Sequence, residues 1–383
     1  MSVGWMGRLH TRAYRAVREH YPELPVDVRL VAAADPDDGV RAHARDVLGY
    51  ARTSPAYRDV IEDPEVDVVS ICAPNALHRE VALAAAEAGK PFWIEKPMGR
   101  SAAESRDIAR AAADAGLVTA VGFNYRHAPA VARARETRPR RRDRAGDERA
   151  RAAPRGLLRG SARRAHLALP ARPGRIGVLG DLLSHGADLA QLVAGRISSV
   201  TGLTETVIRE RPLPTSAAAG HFSTGSADQP RGRVENEDIA AVMGRFASGA
   251  VVTLEASRVA VGPRAEYALE VHGTTGSLRW DFARLNELQL ADDPSGYRTV
   301  MAGPGFGDFA RFQPGAGTGM GFDDLKTIEA QLFLRSVLEG RQLAPSAADA
   351  WAAAEIVDAV ERSDASGSWE AVAEVEGTTT YDA

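Results

Sequence analysis

The chain has 383 residues, 44% of them hydrophobic, a formal net charge of −4 and a single cysteine. That length and apolar content suit two domains with substantial cores, and the mild acidity argues against nucleic acid as the main partner. No run approaches the roughly 20 apolar residues of a membrane span, no charged-then-apolar leader opens the chain, and the lone thiol, Cys72, rules out a disulfide framework and fits a reducing cytoplasm.

The first residues, MSVGWMG, run directly into the helical RLHTRAYRAVREH. Gly4-Trp5-Met6-Gly7 has the spacing of the second half of a glycine-rich nucleotide loop, with Ser2 where the first glycine of G-x-G-x-x-G belongs. No strand precedes this loop in the sequence, so the sheet is expected to lack its first strand. Residues 28–136 then alternate apolar runs with amphipathic stretches: VRLVAAADP, GVRAHARDVLG, VDVVSICAP, NALHREVALAAAEAG, PFWIEKP, SAAESRDIARAAADAG and LVTAVGFNYR. Continuous apolar strands separated by helices predict an α/β domain with a doubly wound parallel sheet, helices on both faces, and ligands at the carboxyl ends of the strands. Asp35 ends the strand after the glycine loop's helix, where an acidic side chain binds the adenosine ribose hydroxyls. Together with Asp37 it would repel a 2′-phosphate, which favours NAD over NADP.

Residues 137–175 are rich in arginine and carry neither helical nor strand periodicity. Three readings stand: a disordered basic arm, a solvated insertion, or a GC-rich gene read in a shifted frame, which yields Arg, Ala, Pro and Gly while preserving length. Ordered texture resumes at GVLGDLLSHGADLAQLV. Beyond residue 200, IAAVMGRFASGAVVTLEASRV and AEYALEVHGTTGSLRWDF each read as a pair of strands around a turn, and NELQLA as one more. Adjacent hairpins predict an antiparallel sheet and a second domain of α+β type. SAAAGHFSTGSADQPRGR is a polar loop, and two helices, DDLKTIEAQLFLRSVLEG and SAADAWAAAEIVDAVERS, close the chain. The expected domains are 1–126 and 127–383.

Two motifs carry chemistry. IEKPMG places Glu95, Lys96 and Pro97 at a strand end facing the cofactor crevice, in a chain whose only other lysines are Lys90 and Lys326. A lysine there can hydrogen-bond a substrate hydroxyl and stabilise developing alkoxide charge. GDLLSHGADLA places Asp181, His185 and Asp188 on one helix, and a spacing of four puts Asp181 and His185 on one face. A histidine titrates near neutrality and can take the hydroxyl proton; the competing reading is a helix-capping aspartate and a structural histidine. A metal would want a third convergent ligand at suitable spacing, so none is expected.

In this order and spacing, GWMG…H, APNALH, EKP and GDLLSHGADL resemble the glucose–fructose oxidoreductase and inositol dehydrogenase family, Gfo/Idh/MocA, over roughly 2–136 and 177–370. ENEDIAAVMGRFASGAVVTLEASRVAVGP through LEVHGTTGSLRWDFARLNELQL is similar to members acting on inositols and on anhydrosugars such as levoglucosan. The resemblance implies a Rossmann domain followed by an open-faced antiparallel sheet, an NAD-dependent sugar or cyclic polyol dehydrogenase, and a homodimer or homotetramer. It assigns Lys96 as catalytic lysine, His185 as general acid/base and Asp181 as the carboxylate that binds substrate hydroxyls. It places Pro74, Asn75 and His78 near the nicotinamide ribose, Gly4, Trp5, Met6, Gly7, Asp35 and Glu95 around the cofactor, and Asn124 and Arg126 toward the substrate, with Arg258, Asn286 and Glu287 as weaker candidates. It also implies that residues 137–175 stand in place of the second domain's first strand. The alternatives are a family glycosidase that retains NAD and cleaves by oxidation, elimination and re-reduction, and an inactive NAD-binding relative.

Overall fold

The computed structural model describes residues 2–137, 177–213, 229–263 and 265–379, together with the backbone of 157–163. The rest of the arginine-rich segment, and the polar loop up to residue 228, lie outside the described residues. The chain divides into two compact units, one of Met1–Ala132, Ala302–Ala352 and Val375–Ala383, the other of Arg133–Met301 and Ala353–Glu374.

The chain opens with α1 (Trp5–His20), β1 (Ala32–Ala34), α2 (Asp38–Asp46), β2 (Arg52–Ser54), α3 (Tyr57–Ile61), β3 (Val69–Ile71), α4 (Asn75–Glu87), β4 (Phe92–Ile94), α5 (Ala102–Asp114) and β5 (Thr119–Val121). A 3-10 turn (Asn124–His127) and α6 (Pro129–Thr137) follow. The strands are the centres of the apolar runs. β1 pairs with β2, and β3, β4 and β5 form a second sheet in that order, every pair parallel. Alongside β1, the Ser2 amide donates to the Ala34 carbonyl at 2.8 Å.

The middle of the chain holds β6 (Leu157–Arg163), a π turn (Leu179–Leu183), α7 (Ser184–Ala194), β7 (Ile197–Glu205), β8 (Glu210–Pro212), β9 (Arg231–Arg233), β10 (Ile239–Phe246), β11 (Val251–Ser257), β12 (Glu266–His272), β13 (Ser277–Asp281), β14 (Glu287–Ala291) and β15 (Arg298–Met301). α8 (Phe309–Phe312), α9 (Phe322–Glu339), α10 (Ala347–Ser366) and β16 (Glu370–Ala371) complete it.

In the first unit β4 is buried along its whole length, as a strand covered on both faces must be. Trp93 joins a core with Ala13, Tyr14 and Val17 of α1 and Phe333 and Leu334 of α9, while α4 packs against β3 and β4. Division of the sequence at residue 126 puts α9 in the second domain; the structure puts it in the first, because its apolar side covers Trp93 and packs against α1 and β5.

The second unit contains a nine-stranded sheet in the order β15-β14-β13-β12-β6-β11-β10-β7-β16. β10 shows the alternation of a sheet with one covered face: Ala240, Val242 and Phe246 are buried, whereas Ala241, Met243 and Arg245 are exposed. The two hairpins expected to be neighbours are separated. β6 lies between them, parallel to β11 and antiparallel to β12. The arginine-rich segment therefore does supply a strand, against the expectation from its composition. The physical reason is that β11 and β12 each present an edge of unpaired N–H and C=O groups, and one extended segment satisfies both whatever its side chains.

Gly340 ends α9 in the left-handed region at φ 60°, with no atom within 4 Å of where a Cβ would stand. The cost of Gly340→Ala is then conformational alone, about 1 kcal/mol, read as a lowered Tm at unchanged activity per folded molecule.

Candidate active site

The glycine loop is closed by contacts with neighbouring backbone and with Asp35. A Cβ on Gly7 would lie 2.2 Å from the Ser2 carbonyl oxygen, so only glycine permits this turn, whereas nothing stands within 4 Å of Gly4. Gly4 is the N-cap of α1 and provides no side-chain cap, which leaves the first amides of the helix turned outward. Open space before an uncapped helix N-terminus suits a pyrophosphate. Trp5 is half exposed and stacks on Phe322 with centroids 6.0 Å apart, and Met6 is partly covered. Asp35 is mostly buried: one carboxylate oxygen accepts from the Val3 amide and the Ser2 hydroxyl, each at 3.1 Å, and the other from the Asp37 amide at 3.1 Å. It thus ties the loop to the end of β1. These residues fit a dinucleotide.

At the end of β4 the EKP turn is held on both sides of Lys96. Beyond it, the Pro97 carbonyl accepts from the Asn75 side chain at 3.2 Å and lies 3.0 Å from Nδ1 of His78, whose Nε2 lies 2.8 Å from the Ala73 carbonyl. Burial lowers the pKa of His78, with the two carbonyls opposing it. The loop of Pro74, Asn75 and His78 is therefore bound to the turn that carries Lys96. Burial pushes the thiol of Cys72 up to about 12, which disfavours its thiolate.

Before Lys96, Glu95 is turned into the core. Its Oε1 accepts from Lys326 Nζ at 2.5 Å and from His10 Nε2 at 2.8 Å; Lys326 also lies 2.8 Å from Glu329, and all four side chains are buried. His10 stacks on Trp93 at 3.5 Å, and its Nδ1 lies 3.3 Å from the Ser70 hydroxyl, which meets that of Tyr14 at 3.0 Å. Burial pushes His10 down to about 4, so the ring is neutral at physiological pH and donates from Nε2 to Glu95. Burial disfavours the Glu95 carboxylate, but Lys326 and His10 hold it below its ordinary range. Lys326 is likewise kept charged against burial by Glu329 and Glu95, while burial raises Glu329 to about 7. One cation fully serves one carboxylate; the second titrates near neutrality. Glu95, expected beside the cofactor, instead turns its carboxylate inward to Lys326 and His10.

In the second unit, the residues before α7 form a π turn rather than the plain α-helix the spacing suggested. Glu237 holds its start, accepting from the Leu179 amide at 2.9 Å, and the Tyr267 hydroxyl donates to the Leu182 carbonyl. Asp181 is partly exposed; His185 and Asp188 are buried, with His185 edge-on to the Tyr267 ring at 5.6 Å. Tyr267 and Glu237 are supports that sequence reasoning missed, because each reaches this turn from a strand distant in sequence.

Two expected substrate contacts part company. Arg126 is buried, 3.3 Å from Asp349 and 3.3 Å from the Thr379 hydroxyl, a structural tie. Asn124 is also buried, but its amide nitrogen meets no acceptor among the described residues, a state that calls for water or a ligand. Glu287 pairs with Arg284 at 3.3 Å, and the Arg258 amide donates to the Asp238 carbonyl.

A model of the oxidoreductase family's NAD-binding Rossmann fold matches residues 2–123, and one of the GFO/IDH/MocA C-terminal domain matches 159–279. The chain is 36% identical to levoglucosan dehydrogenase of Pseudarthrobacter phenanthrenivorans, covering 96% of this chain and 95% of that one. It is 26% identical to an inositol 2-dehydrogenase of Rhizobium meliloti, with 95% of both covered. A solved levoglucosan dehydrogenase in complex with NADH and L-sorbose superposes with a TM-score of 0.86 at 33% identity and 98% coverage of each chain.

The raised Glu329 carboxyl carries a sign. The fold prefers it protonated, so its contribution is fully present below the ordinary 4.5 and is lost as pH rises through about 7. Glu329→Gln removes that dependence, so its Tm gains on the wild type across this window; parallel Tm–pH curves would refute the assignment.

Proposed function

The chain belongs to the Gfo/Idh/MocA oxidoreductase family, and on that premise we propose that it oxidises a hydroxyl of a sugar or cyclic polyol, an anhydrosugar or inositol, with NAD. The observation that carries this reading is Lys96, presented at the end of a parallel strand by a turn fixed on both sides, in the unit that holds the glycine loop.

Bound NAD supplies the hydride acceptor. The Gly4–Gly7 turn and the N-terminus of α1 would hold its pyrophosphate, Asp35 its adenosine ribose, and the loop of Pro74 and Asn75 its nicotinamide end. The ammonium of Lys96 donates a hydrogen bond to the reacting hydroxyl and stabilises negative charge as it develops on that oxygen. His185 takes the hydroxyl proton at a ring nitrogen, its ring set against Tyr267. Asp181 accepts from a neighbouring hydroxyl, and the buried amide of Asn124 is a further donor for ligand. The single cysteine suits a cytoplasmic enzyme. Homo-oligomers through the sheet are supported by Leu203 and Met243, apolar and half exposed on adjacent strands β7 and β10.

The purified chain is expected to form NADH from NAD, read by its near-ultraviolet absorbance, with at least one member of a panel of levoglucosan, inositols and pyranoses. Lys96→Ala and His185→Ala are each expected to lower kcat by about 100-fold or more, and undiminished turnover in either would remove that residue from the chemistry. Release of sugar from a glycoside with no net NADH would instead identify the NAD-retaining glycosidase. Gly7→Ala, which drives a methyl into the Ser2 carbonyl, is expected to weaken NAD binding about tenfold or more in a direct titration.

A further inference from the structure

The charged group beneath the EKP turn costs more than an apolar filling of the same volume, since ions taken from water are repaid only by close partners. Three observations locate what it does. Lys326 reaches Glu95 from α9, far away in sequence, and is one of only three lysines in an arginine-rich chain. A compact ammonium with several rotatable donors suits two carboxylates, Glu95 at 2.5 Å and Glu329 at 2.8 Å, where a planar guanidinium demands more room. Room has also been made on the other side of Glu95: a Cβ on Gly122 would stand 2.6 Å from its carboxylate. The Glu95 amide is in turn bonded to the Ile71 carbonyl at 3.0 Å. Residue 95 is thus fixed by backbone and side chain, and the next residue is Lys96, whose far neighbour Pro97 is fixed by Asn75 and His78.

We propose that Lys326 is a positioning residue for Lys96, acting through Glu95 to fix the point from which the Lys96 side chain springs. The role assigned to Lys96 rests on the reading of the preceding subsection; the anchoring of the turn does not, and the two are measured separately.

The test is full-length Lys326→Met, compared with Phe333→Leu, a buried apolar truncation on the same helix and in the same core. Hydrogen exchange at the amides of residues 94–98 is expected to be about tenfold faster in Lys326→Met than in Phe333→Leu, at temperatures matched for distance below Tm. On an active substrate, kcat is expected to fall about tenfold or more while the Kd for NAD stays within about twofold. A purely structural role moves neither readout further than Phe333→Leu moves it, and equal exchange in the two variants overturns the proposal. Faster exchange in a protein whose wild type oxidises no polyol upholds the anchoring and fails the functional reading instead. Should Lys326→Met not fold, Glu95→Gln keeps the shape and loses the charge. It is expected to shift exchange at 94–98 in the same direction by a smaller factor, and no shift there also overturns the proposal.

Discussion

The Glu95 carboxylate is taken out of water at the end of a parallel strand, and much of the first unit is arranged so that it can stay ionised there. Lys326 comes from α9, His10 from the helix of the glycine loop, and Gly122 yields space at the end of the next strand. Each partner belongs to a different element, so the pairing fixes those elements relative to β4 as well as satisfying a charge. Removing one partner of such a group costs about 3–5 kcal/mol, a large share of a typical stability of about 5–15 kcal/mol. The same contacts connect the glycine loop, through His10, with the turn that carries Lys96. The two parts of the first unit that a nicotinamide cofactor needs are therefore joined through one buried carboxylate.

A second constraint governs the sheet of the other unit. Hairpins β10–β11 and β12–β13 each leave an edge, and β6 closes both edges at once. Backbone pairing is indifferent to side chains to a degree that periodicity is not, and this is how a segment of unpromising composition takes a central place. The π turn before α7 is local to the residues of interest: it is held by Glu237 at its start and by Tyr267 across Leu182, and it leads directly into His185.

Several residues chosen for chemistry also hold their neighbours in place. Asn75 and His78 bond the Pro97 carbonyl, Asp35 bonds the glycine loop, and Arg126 is paired with Asp349. Residue type and position in a motif do not distinguish a side chain that touches a ligand from one that holds its neighbour in place. Both are polar, and both stand at strand ends. Asn124 is the contrary case, since its buried amide lacks an acceptor among the described residues.

What the sequence determined by itself follows from local order: the alternation of apolar runs and amphipathic helices in 28–136, the hairpins after 239, the glycine turn, and the EKP and GDLLSH motifs with Lys96, Asp181 and His185. Those are periodicities and short spacings, and each is visible within a window of a few turns. The tertiary structure decided everything that depends on charges or edges meeting across long separations. Lys326 finds Glu95 across 231 positions, Tyr267 reaches Leu182 across 85, and the final helices are shared between two units. The inward turn of Glu95 belongs to the same class. A carboxylate seeks either water or a cation, and only the folded chain determines which of the two is beside it.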